Sequence, residues 1–100
     1  YKFWATASIM AAYYEILNIS SDWLIKKGIN KTVANNYISE LFLSLSQDAV
    51  NKKSQGFKKL VADSQTPKGL NMQVLNELKR GKFYTKFIKA MDSINKRVSS

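Results

Sequence analysis

One hundred residues suffice for a single domain with one compact core and are too few for a nucleotide-binding domain joined to a substrate domain. Cysteine and histidine are both absent, which excludes disulfides, thiol nucleophiles, Cys/His zinc sites and imidazole-based triads. The net charge of +9 is uneven: four lysines balance four acids up to Asn51, whereas twelve Lys/Arg face three acids from Lys52 onward. A basic half of this kind suits nucleic acid, an acidic partner or a phosphorylated cofactor, and it is also what an ordinary solvated lysine-rich surface looks like.

With one proline, four glycines and no alternating apolar and polar run, the chain reads as all-α, a bundle of about five helices, two of them long, one short and two medium. The first residue is Tyr1 and the opening already reads as helix, so residues 1–100 are expected to form one domain of something longer. The first helix is expected from about Phe3 to Lys27. Its apolar start is interrupted by Glu15, Asn18 and Asp22 well before the roughly 20 residues a bilayer span requires, so a buried helix is expected and no membrane partner. Gly28 follows the cationic pair Lys26-Lys27 and suits a left-handed helix end, and Asn30 suits the N-cap of the next helix.

That second helix carries Ala34, Ile38, Leu41, Leu45 and Ala49 on one stripe, with Phe42 and Leu43 partly outside it, as expected in the middle of a bundle or a dimer. It should end between Asn51 and Ser54. A short helix is expected over Gly56 to Ala62, before the turn Asp63-Ser64-Gln65-Thr66-Pro67. Leu70, Val74, Leu75 and Leu78 mark the inner side of the following helix, which Gly81 closes. Tyr84, Phe87, Met91, Ile94 and Val98 form a narrow apolar seam on the last helix. These stripes exceed what the short helices need for cover, and homodimerisation follows from the excess.

Thr66-Pro67-Lys68-Gly69-Leu70-Asn71, running into Met72-Gln73-Val74, reads as a tight turn opening onto a helix N-terminus, where backbone N–H groups can receive a small anion such as a carboxylate. The plainer reading is a helix start with a proline before it and no ligand. Lys68 at the turn tip is a candidate carboxylate or phosphate contact, although turn lysines are mostly solvated. Tyr13 and Tyr14 offer phenolic donors early in the first helix, and Trp4 and Trp23 read as packing or interface anchors. The seven acids show no pairing that would make a hydrolytic dyad or a metal site, and there is no G-x-G-x-x-G, no phosphate loop and no HExxH. No catalytic or metal-ligating residue is expected in the chain.

The order of features resembles the C-terminal helical dimerisation domain of the pyrroline-5-carboxylate reductase family across essentially the whole chain. The family turn usually reads Ser-Pro-Gly-Gly-Thr-Thr; Thr66, Pro67 and Gly69 fit it, and Leu70-Asn71 stand in place of the threonine pair. Gly28-Ile29-Asn30 followed by Val33-Ala34, and Val74-Leu75 followed by Leu78, match the family layout. Ala12 and Tyr13 match the end of its Ala-Leu-Ser-Gly-Ser-Gly-Pro-Ala-Tyr lead-in, which Ala7-Ser8-Ile9-Met10-Ala11 otherwise replaces.

The resemblance implies a cytoplasmic, homodimeric NAD(P)-dependent oxidoreductase of proline biosynthesis that reduces an imine. Its Rossmann domain, absent from this chain, would hold NAD(P)H, and this domain would dimerise and wall the substrate site. It would not be catalytic alone. By the same carry-over the substrate-binding residues are Thr66, Lys68, Gly69, Leu70, Asn71 and Tyr13. Thr66 would offer its hydroxyl, and the N–H groups of Lys68, Gly69 and Leu70 would face the substrate carboxylate. Exchanging two hydroxyls for an apolar group and an amide implies a reshaped pocket or a relative with another substrate. The alternatives are a basic helical nucleic-acid-binding module and a ligand-free partner-binding bundle. Nucleic acid is the less expected partner, because no recognition helix brings Arg and Asn toward base edges.

Overall fold

The computed structural model describes residues 1–99. The expected all-α class is observed: α1 (Lys2–Ala7), α2 (Met10–Lys26), α3 (Lys31–Asn51), a 3-10 turn (Lys53–Gln55), α4 (Phe57–Asp63), α5 (Leu70–Arg80) and α6 (Phe83–Ser99). The five expected helices are all present, but the first is divided. Thr6 Oγ1 donates to the Phe3 carbonyl at 2.8 Å and Ser8 Oγ to the Trp4 carbonyl at 2.7 Å. The main-chain ladder persists beside them, Ser8 N–H donating to the Trp4 carbonyl at 3.0 Å, and the helix stops at Ala7 with Ser8 as its C-cap before restarting at Met10.

Two compact units divide the chain, Tyr1–Met10 with Val61–Ser100, and Ala11–Leu60. In the second unit, α2 and α3 are joined through Gly28, whose φ of 101° requires the freedom of glycine. Asn30 caps α3 as expected, its Oδ1 accepting from Thr32 N–H at 2.8 Å and Val33 N–H at 3.4 Å. Ser21 Oγ donates to Asn35 Oδ1 at 2.5 Å, and the Tyr13 and Phe42 rings meet edge-on at 6.0 Å. These pairings show that α2 and α3 run antiparallel. Between them lies a groove of about 570 Å³ lined by residues including Tyr14, Asn18, Ser21, Asn35 and Ile38.

In the first unit, α6 packs against α1 and α5, and Ala5 is the buried residue of α1. Gly81 stands at the end of α5 with φ −76°, and the left-handed turn falls one residue later, on Lys82 at φ 62°. The expected glycine-led left-handed stop is thus shifted by one position. Phe87, Met91, Ile94 and Val98 of the predicted seam are half-buried, and Tyr84 is exposed.

Burial within one copy is sparse. Ala5, Ala34 and Ile38 are the only buried apolar residues among those described. Along α3 the stripe is covered at Ala34 and Ile38, which are 0% and 7% exposed, and bare further on at Leu45, which lies on the same side of the helix and is 58% exposed; Tyr37, beside the stripe, is 59% exposed. Trp4 and Trp23, expected as anchors, are exposed as well. Two independent folded units sharing a chain of this length would together expose about 7,000 Å². The accessible surface here is 8562 Å².

Candidate functional site

The candidate site is built from contiguous residues between α4 and α5. The Gly69 N–H donates to the Thr66 carbonyl at 2.8 Å, closing a four-residue turn with Pro67 second and Lys68 third. Proline supplies the fixed φ its position needs, and Lys68 takes φ 60°, the left-handed value that a type II turn demands at its third residue. A lysine there carries a backbone cost on the order of 1–2 kcal/mol that glycine would avoid.

Gly69 itself is extended, at φ −80° and ψ 166°, so positive φ is not why it is glycine. A Cβ on it would collide with Thr66 Oγ1 and lie 2.9 Å from the Thr66 carbonyl oxygen. The Thr66 hydroxyl is therefore folded over the Gly69 backbone at the threshold of α5. The site reading had Gly69 N–H facing an anion; it is instead engaged in the turn's own hydrogen bond, because a type II turn closes through that donor.

Immediately after it, α5 begins at Leu70. No side chain caps this end, and the first intrahelical bond is Gln73 N–H to the Gly69 carbonyl at 3.1 Å. The N–H groups of Leu70, Asn71 and Met72 consequently have no acceptor among the described residues, and they carry the positive end of the α5 dipole. The Leu70 side chain is 81% exposed. Asn71 Nδ2 donates to the Ser64 carbonyl at 3.1 Å, bracing the turn against the end of α4 and leaving Oδ1 free of that bond. Lys68 is exposed at the turn tip. Thr66, Lys68, Gly69, Leu70 and Asn71 are thus brought together, and Tyr13 stands in the other unit with its ring against Phe42. Sequence reading missed the amides of Met72 and the bracing role of Asn71; the position of Gly69 as N-cap would have pointed to the first.

No strand occurs among the described residues, so none of the glycines lies in the strand-to-helix loop by which dinucleotides are usually held. Among the described residues no group of acids converges as metal ligands would, and no helix is long and apolar enough to cross a membrane.

Helices that leave apolar faces uncovered and bury little of their own define an oligomerisation domain. The chain matches the family model described as pyrroline-5-carboxylate reductase dimerisation over residues 4–100, and it belongs to that family. No curated protein and no solved structure matches it.

Proposed function

We infer that the chain is the dimerisation and substrate-wall domain of a cytoplasmic NAD(P)-dependent reductase, acting on an imine that bears a carboxylate, as in proline biosynthesis. The observation that carries this reading is the Thr66 turn. Its closing hydrogen bond fixes the approach to α5, and the free amides of Leu70, Asn71 and Met72 follow it directly. Those amides and the Thr66 hydroxyl receive the substrate carboxylate, with the helix dipole adding to the attraction. Lys68 contributes a screened charge at the rim. The cofactor belongs to a nucleotide-binding domain outside these residues. Within this domain the contribution to catalysis is positioning, which raises turnover only where contacts strengthen at the reacting end.

The second copy covers apolar side chains that α3 leaves bare, Leu45 and Tyr37 among them. The surplus surface, roughly 1,600 Å² per copy over two independent units, reaches the range of obligate interfaces once two copies are counted.

Amide chemical shifts test the carboxylate site directly. Titration with L-proline should move the Leu70, Asn71 and Met72 resonances, and pyrrolidine, which lacks the carboxylate, should leave them in place. Equal responses to both compounds, or none to proline, would refute the assignment. With a nucleotide-binding domain joined upstream, Thr66→Ala should raise KM for pyrroline-5-carboxylate in NAD(P)H oxidation.

A further inference from the structure

The basic excess has a geometry that composition does not reveal. On α6, at about 100° per residue, Lys86, Lys89, Ser93 and Lys96 fall within an arc of about 80°. Lys82 stands at the entrance of the helix, its carbonyl accepting from Lys86 N–H at 2.9 Å. These residues are exposed, and none of the four lysines is held in an ion pair. Arg97 is not counted with them, because it has an interaction of its own. The single acid of α6, Asp92, lies outside the arc. Phe87, Met91, Ile94 and Val98 lie on the opposite side, half-buried in the unit where α6 meets α1 and α5.

We propose that this face of α6 binds the phosphate backbone of nucleic acid without reading its sequence. Every group on the arc donates hydrogen bonds and none is anionic, which matches phosphate oxygens, acceptors only. The lysines follow a straight, stiff line: Lys86 to Lys96 spans about 15 Å, against one phosphate per roughly 3.4 Å along a strand. An acidic lipid surface rewards an apolar edge beside the charge, and here the apolar residues face the other way. An acidic protein partner is anchored by aromatic or arginine side chains, and the unpaired part of the arc offers neither. This role is independent of the substrate turn.

Fluorescence anisotropy with a labelled duplex of about 20 base pairs tests it. Binding should be seen at about 50 mM salt and weaken on the order of 100-fold by about 200 mM, as for about four phosphate contacts. Lys86→Gln/Lys89→Gln/Lys96→Gln should weaken binding at low salt and reduce the same salt step to less than about tenfold. A control that removes equal charge elsewhere, Lys2→Gln/Lys53→Gln/Lys58→Gln, should keep the wild-type salt dependence. The proposal is overturned if the two triple variants behave alike, if no duplex binds at low salt, or if vesicles of phosphatidylserine and phosphatidylcholine bind where the duplex does not.

Discussion

The Thr66 turn and the α2–α3 pair are built on opposite plans. The turn is locally complete: six consecutive residues with one closing hydrogen bond and one brace from Asn71 to Ser64 determine it. The α2–α3 pair has a cap, a linking glycine and one buried polar contact, yet Leu45 and Tyr37 of α3 have no cover within one copy. A turn can be specified by short-range chemistry, whereas the surface of a dimerisation domain is by nature unfinished until a second chain arrives.

The largest effect should come from the unfinished side. Tyr37→Asp combined with Leu45→Asp puts two charges at exposed apolar positions of α3. Light scattering should then show dissociation to single copies and circular dichroism a large loss of helix; an unchanged dimer would place the interface elsewhere. Ile38→Ala, at a covered position, should cost about 2–5 kcal/mol in chemical denaturation.

On the turn, Gly69→Ala should cost about 1–3 kcal/mol, as a methyl forced into a filled space does. Adding Thr66→Ala should recover part of that loss, because the removed hydroxyl is the nearest obstacle; strictly additive effects would contradict the close approach. Lys68→Gly should raise stability by on the order of 1 kcal/mol through relief of the left-handed backbone. The smallest effect concerns Lys26, whose ammonium is held above the usual lysine value by its hydrogen bond to Asp22, 2.9 Å away. Its contribution is complete below the ordinary lysine pKa and disappears as pH rises through the raised one. Lys26→Met should therefore lower the melting temperature slightly at neutral pH and flatten the alkaline limb of its pH profile.

Much of the fold was legible because its signals are local. Asn30 caps and Gly28 turns for reasons contained in three or four residues. The break at Ser8 was not legible, since the run from Phe3 to Tyr14 reads as uninterrupted apolar helix. The left-handed residue after α5 fell on Lys82 although Gly81 was beside it, because composition ranks candidates and backbone geometry selects among them. In the site, the turn could be read from Thr66-Pro67-Lys68-Gly69. What escaped was that Gly69 is glycine for want of space over Thr66, and that its N–H is consumed by the turn. The bare part of α3 was legible only as an excess of apolar surface, because periodicity marks Leu45 as apolar without saying which chain covers it.

Sedimentation equilibrium on the intact chain tests most directly the claim that the second copy completes the fold. A mass twice that of one chain, with a melting temperature that rises with protein concentration, is the predicted result. A folded single copy that melts cooperatively at a concentration-independent temperature would contradict it.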